Sequence, residues 1–150
     1  MTKTHCAWHQ WLEKSKPIIE LRAVPYEIAF PGFANFSATV EELSLLPLSW
    51  QNSLSSVQGV YLLVCPNTGE QYVGSATGTG GCMGRWNAYA KNSHGDNRML
   101  KERLNTVGQV NFAITILEVA SPDMSASDVV ARESAWKHKL GSRAFGLNAN

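Results

Sequence analysis

Two β-rich runs joined by a short turn constrain the fold of this chain more than any other feature. Val60 to Cys65 and Gln71 to Gly74 flank Pro66-Asn67-Thr68-Gly69, and this pattern predicts a β-hairpin. Downstream, Met83 to Ala90 and Asn97 to Leu104 predict two helices separated by Ser93-His94-Gly95. Phe112 to Val119 is nearly continuous in apolar residues and predicts a third strand. Asp128 to Leu140 predicts a helix that Gly141 ends. The order ββ-αα-β-α implies a small α+β domain over residues 58–150, with a three-stranded, mainly antiparallel sheet flanked by helices.

Residues 1–57 differ in composition and hold four of the six prolines. Trp8, Trp11 and Leu12 sit at helical spacing, and Pro17 ends or kinks that helix. Tyr26 to Phe30 reads as a strand closed by Pro31-Gly32. Thr39 with Glu42 looks like a capping box opening a helix through Leu43 and Leu46, which Pro47 stops. Trp50 and Leu54 then form an i, i+4 pair. The expectation is a helical extension, residues 1–57, that packs on the second part as a cap or helps to read a substrate.

At 150 residues, with 44% hydrophobic and 17% charged side chains, this is one ordinary globular domain's worth of chain. No apolar run approaches the roughly 18–20 residues that cross a bilayer. No h-region is visible near Met1, so no secretory signal is expected. Cys6, Cys65 and Cys82 form no CxxC pair, which argues against a disulfide framework or a zinc ribbon and fits a reducing cytoplasm. The formal charge of +1 excludes a strongly basic nucleic-acid binder. Any such contact must rest on a local cluster such as Arg85, Lys91, Arg98, Lys101 and Arg103, which otherwise is a solvated helix face.

Four features ask for a chemical explanation. A hairpin symmetric about Asn67 puts Tyr61 opposite Tyr72, with both rings on one face. Such pairs are commonly packing, but Gly59 and Gly74 flank this one and weaken strands unless something approaches the backbone closely. Arg85 and Tyr89 lie one helical turn apart, beside an apolar stripe of Met83, Trp86 and Ala90. A guanidinium there suits a phosphate held by two parallel hydrogen bonds, or a surface ion pair. Glu133 falls on the stripe Val129, Glu133, Trp136, Leu140, where a carboxylate is costly to bury without compensation. Either Arg132, Lys137 or Arg85 pairs with it, or it binds a hard cation that needs only one or two carboxylates. Finally, Gly78, Gly80, Gly81 and Gly84 lack the ending of a P-loop and read as a tight loop leading from strand to helix. Weaker signals lead nowhere: His5, Cys6 and His9 lack further ligands for a zinc site, and no GxSxG or Cys-based arrangement supports a nucleophilic hydrolase.

These residues also carry a family resemblance. Gly59-Val60-Tyr61 followed by Tyr72-Val73-Gly74 resembles the two half-motifs that name the GIY-YIG nucleases. Gly84-Arg85-Trp86 with Tyr89, Ser93-His94-Gly95-Asp96-Asn97, Arg132-Glu133-Ser134-Ala135-Trp136 and Gly146-Leu147-Asn148 follow in the family's order. The resemblance covers about residues 58–150 and is nearest to the homing-endonuclease-like branch and small bacterial or phage-type members. It implies a divalent-metal-dependent endonuclease acting on nucleic acid, DNA by analogy, with magnesium or manganese as cofactor. Glu133 would bind the single metal, and Arg85 would hold the scissile phosphate. Tyr61 would orient or deprotonate the attacking water, with Tyr72 nearby for positioning. Tyr89 stands where members have Tyr or His, His94 matches a histidine of the homing branch, and Asn148 would brace the site.

Several members place Lys directly after the second half-motif, whereas this chain has Ser75. A free phenol with a pKa of about 10 is ionised in only about one molecule in a thousand at neutral pH, an offset of roughly 4 kcal/mol. Without that Lys, Tyr61 needs the metal, Arg85 or His94 to lower its pKa, or it only positions water. The rival reading is a catalytically idle module that binds nucleic acid or protein. The sequence leaves open whether the chain acts alone, as a homodimer or in a larger assembly.

Overall fold

A computed structural model of the chain describes residues 27–92, 97–107 and 111–148. Four strands, β1 (Ser37–Thr39), β2 (Gly59–Val64), β3 (Gln71–Ala76) and β4 (Ala113–Val119), form one sheet in the order β1-β4-β2-β3. Every pairing is antiparallel. The sheet thus has four strands rather than the expected three. The added strand is three residues long and comes from the N-terminal extension; its pairing with Ala113–Thr115 is a long-range contact with no local signature. Tyr26 lies outside the described residues, and residues 27–30 form no strand, so that part of the expectation does not hold.

The hairpin forms as the turn chemistry demands. Gly69, at φ 74, donates its N–H to Cys65 O at 2.9 Å, and Cys65 N–H bonds Glu70 O at 2.9 Å. Its register differs from the symmetric reading: Tyr61 faces Gly74 and Leu63 faces Tyr72. The two tyrosines are diagonal neighbours that still share a face.

The two faces of the sheet are covered separately. One packs Tyr61, Leu63, Tyr72, Ile114 and Ile116 with Trp86 and Tyr89 of the helix Gly81–Asn92. Phe36, Leu43 and Leu54 from residues 27–57 join the same core, and Phe36 stacks on Trp86 at 5.5 Å. The other face packs Val60, Leu62 and Val73 with Val129, Trp136 and Leu140 of the helix Ala126–Leu140. That helix has both ends specified: Ser125 and Asp128 form a capping box, and Gly141 closes it in the left-handed region at φ 64.

Two sequence readings need local correction. Ala90 is exposed, and the buried stripe of its helix runs through Cys82, Met83, Trp86 and Tyr89 instead. Thr39 and Glu42 do bond reciprocally, at 2.7 Å from Thr39 N to Glu42 Oε2, but the segment they open, Glu41–Leu45, is a 3-10 helix. Pro47, two residues beyond, leaves no room for a full α-helix. Among the described residues no helix is long and apolar enough to cross a membrane.

Candidate functional site

Tyr61 is completely buried, and its position follows from glycine. A Cβ on Gly74 would stand 2.5 Å from the Tyr61 hydroxyl oxygen and 2.6 Å from the ring carbon that bears it. The phenol therefore lies directly across the backbone of β3, and the close approach suggested by the flanking glycines is made by Tyr61 itself. Gly59 serves a different contact: a Cβ there would collide with the Glu118 carbonyl of β4, beside the bulge at Val60/Tyr61.

The Tyr61 hydroxyl is held at its far end by two residues from one helix. It shares a hydrogen bond of 2.7 Å with the Tyr89 hydroxyl, and Arg85 Nε donates to it at 3.3 Å. The Arg85 guanidinium also lies 5.7 Å from the Tyr89 ring centroid. Arg85 and Tyr89 thus share a face, as their spacing requires. Arg85 has no carboxylate partner among the described residues, so it is not the surface ion pair that the sequence allowed. Burial pushes the Tyr61 phenol above its ordinary range and Tyr72 adds to that, while Tyr89 and Arg85 pull the other way without restoring it. Tyr89 is raised in the same way, first by burial and then by Tyr61 and Tyr72.

Glu133 belongs to the opposite face of the sheet. Its side chain is 14% exposed and both oxygens are engaged: Lys137 Nζ lies 2.7 Å from Oε1, and the Ser75 hydroxyl donates to Oε2. Lys137 completes the helix stripe and is itself buried. Of the partners the sequence offered, Lys137 takes the role. Arg132 instead bonds Glu118 at 2.7 Å, and Trp136 Nε1 donates to the same carboxylate at 2.8 Å.

The two halves meet at the edge of the sheet. β3 is an edge strand, and an open cleft of about 370 Å³ beside its end is lined by Ser75, Thr77, Gly78, Gly80, Gly84 and Arg85. Arg85 enters from one face and Ser75 from the other, so Glu133 reaches the cleft through Ser75 rather than standing in it. The glycines keep this wall free of side chains. Asn148, the last described residue, secures the same strand: its Oδ1 accepts from Val73 N at 2.9 Å and its Nδ2 donates to Val73 O at 2.8 Å. The side-chain amide thus takes up both outward backbone groups of Val73 on the edge strand.

The expected site residues Tyr61, Tyr72, Arg85, Tyr89, Glu133 and Asn148 all border β3 or the helix that crosses it. His94 lies outside the described residues. Ser75 and Lys137 are not among the expected site residues: Ser75 stands where several members carry lysine, and Lys137 is one of the alternative partners for Glu133. Of the basic cluster, Lys91, Arg98 and Lys101 are exposed, with Arg98 paired to Glu102 at 3.4 Å. They form a solvated face.

The donor set for a metal is sparse but chemically suitable. Among the described residues there is no group of three or more His, Cys, Asp or Glu side chains. A hard cation needs only one or two carboxylates and keeps several waters. Each Glu133 oxygen, with one partner in place, retains a lone pair. Lys137 is the competitor that such a cation must displace or share with.

Comparison with known proteins follows the same lines. A family model described as the GIY-YIG catalytic domain matches residues 57–148. The catalytic domain of the intron endonuclease I-TevI, in a mutant form, is 25% identical with a TM-score of 0.51, over 63% of this chain and 94% of that one. The catalytic domain of homing endonuclease I-TevI is 26% identical with a TM-score of 0.50, over 62% of this chain and 98% of that one. No curated protein matches the sequence.

Proposed function

The chain belongs to the GIY-YIG family, and from that premise we propose that it is an endonuclease hydrolysing phosphodiester bonds of DNA with a divalent metal, magnesium or manganese. Two solved relatives described as catalytic domains of an intron or homing endonuclease support the substrate class. The observation that carries the reading is the cleft at the end of β3, which brings Arg85 and the Ser75-Glu133 pair to one concavity from opposite faces of the sheet.

Arg85 holds the scissile phosphate and stabilises the charge that develops on it, as its planar fork of donors suits. Tyr61 and Tyr89 fix that guanidinium from below. Because burial raises the Tyr61 phenol above its ordinary range, it is neutral at physiological pH and positions Arg85, which in turn faces the cleft, rather than acting as a standing base. Tyr72 fills the diagonal position on the same face and keeps Tyr61 in place. Glu133 would hold the metal, its Oε2 tied to the edge of the cleft by the Ser75 hydroxyl. When bound, a hydrated divalent cation supplies Lewis-acid charge stabilisation and acidifies the attacking water. Asn148 keeps the β3 edge rigid, and His94 is included in the site on its place in the motif alone. Residues 58–150 are the nuclease unit and residues 1–57 its extension, whose described part, 27–57, places Phe36 and Leu43 in the shared core.

The Lys137-Glu133 ion pair favours one rival, an idle module that binds nucleic acid without cutting it. Supercoiled plasmid incubated with the purified chain and magnesium separates the two. Nicking that chelator abolishes, and that Glu133→Gln lacks while keeping its helix content, is the expected result. Firm DNA binding without any cleavage favours the idle module.

A further inference from the structure

A second, smaller cavity lies on the same strand as the cleft. It measures about 150 Å³ and is lined by Gly69, Gln71, Leu140, Ser142, Phe145 and Gly146. Two of these residues carry buried polar atoms, Gln71 Oε1 and Ser142 Oγ, with no hydrogen-bond partner among the described residues. Ser142 is only 1% exposed. Leaving such atoms unpaired costs on the order of 1–3 kcal/mol each, so two in one small cavity ask for a ligand. A single bridging water needs only about 10–15 Å³, far less than the space present. At the rim stands Phe145, a residue that is 88% exposed.

We propose that this cavity is a nucleobase subsite: it takes one unpaired or flipped-out base of the DNA strand held at Arg85, stacked on Phe145 and hydrogen-bonded by Gln71 and Ser142. The proposal rests on the nuclease reading and extends it to substrate selection. A flat apolar ring beside two unpaired polar atoms matches a base, which offers a π-face and a polar edge. The position fits as well. Gln71 and Ser75 point to one face of the same edge strand, four residues apart, or about 13 Å at roughly 3.3 Å per residue. That is about four nucleotides at the 3.4 Å axial spacing of a duplex strand, and fewer on an extended one. Gly146 lets the backbone pack tightly beneath the cavity, since a Cβ there would collide with the carbonyls of Gln71 and Ser142. Both orphan atoms are closed to bulk water in this arrangement, so the wall of the cavity must shift as the base enters to meet them.

The test uses the full chain and a fluorescent oligonucleotide, single-stranded and duplex, in chelator to prevent cleavage. Abasic residues replace nucleotides one at a time along it, and binding is read by anisotropy. The wild type should show one position where losing the base weakens binding roughly tenfold, as expected for one stacked base. Phe145→Ala and Ser142→Ala should lose that dependence while keeping the wild-type affinity for the oligonucleotide already abasic there; neither should lower the melting temperature, and Ser142→Ala, which removes an unpaired buried hydroxyl, should raise it by a few degrees. Firm binding with a flat abasic profile, or a profile identical in wild type and variants, overturns the subsite and leaves the cavity to ordered water. No binding to any oligonucleotide overturns the nucleic-acid reading and this proposal with it.

Discussion

Replacing Gly74 by alanine tests why the second half-motif ends in glycine. The new methyl would sit 2.5 Å from the Tyr61 hydroxyl and 2.6 Å from the adjoining ring carbon, whereas carbon contacts settle at about 3.5–4.0 Å. The ring must therefore retreat by about 1 Å. It has little room, because it is fully buried and lies edge-on to Trp86 at 5.9 Å and to Tyr89 at 6.1 Å. Overpacking of this kind costs about 1–3 kcal/mol. At roughly 2–4 °C per kcal/mol for a chain of this size, the melting temperature should fall by about 2–12 °C. The functional loss should be larger than the stability loss. A hydroxyl displaced by about 1 Å no longer meets Arg85, and misplacement on that scale can cost on the order of 10²-fold in rate. Thermal melts and plasmid cleavage, run well below the lowered melting point, measure the two effects separately. Adding Tyr61→Leu should restore much of the stability without restoring activity, a non-additivity expected of touching residues. A Gly74→Ala protein with wild-type melting and wild-type turnover would refute the argument.

Four further outcomes follow from the site. Arg85→Lys should cut the rate by roughly 10²-fold or more, since the forked geometry is lost; full turnover in that variant would remove Arg85 from the chemistry. Tyr61→Phe should lower the pH–rate profile without changing its shape, because the buried phenol stays neutral across the working range; a titration present in wild type and absent in the variant would make Tyr61 the base. The same burial has a thermodynamic consequence. The folded-state pKa of Tyr61 is raised, so its contribution to stability is complete below the unfolded value of about 10 and is lost as pH climbs from there toward the folded value. Denaturation midpoints should therefore decline above about pH 10. Lys137→Met should leave Glu133 uncompensated, destabilising the metal-free protein by about 3–5 kcal/mol while lowering the magnesium needed for half-maximal cleavage. An unchanged magnesium requirement would show that Lys137 does not compete at the site.

The elements were legible in the sequence wherever local chemistry decides them. The turn at Pro66-Asn67-Thr68-Gly69, the stop at Gly141 and the stripe through Val129, Glu133 and Trp136 are set by near neighbours, and each stands as read. The hairpin register was missed by two residues because the six-residue connection closes through Cys65 and Glu70 rather than symmetrically about Asn67. β1 was missed because three residues carry too little pattern to announce a strand whose partner lies more than 70 residues away. Tyr61 and Glu133 were each read as functional, but not that they occupy opposite faces of the sheet. That Arg85 and Ser75 reach one cleft from those two faces depends on β3 being an edge strand, a property of the whole topology. Ser75 looked like a missing lysine; only the packing of Ala126–Leu140 across the sheet shows that its hydroxyl turns Glu133 and that Lys137 supplies the buried cation.

The most direct test of the account is an anomalous-scattering measurement on crystals of the chain grown with manganese and a short DNA oligonucleotide. The account predicts a manganese peak at the Glu133 carboxylate, with Lys137 shifted away from Oε1 and a phosphate of the DNA held by Arg85 in the cleft between Ser75 and Gly84. A map with no metal at Glu133, the Lys137 pair still closed and the DNA phosphates remote from Arg85 would contradict it.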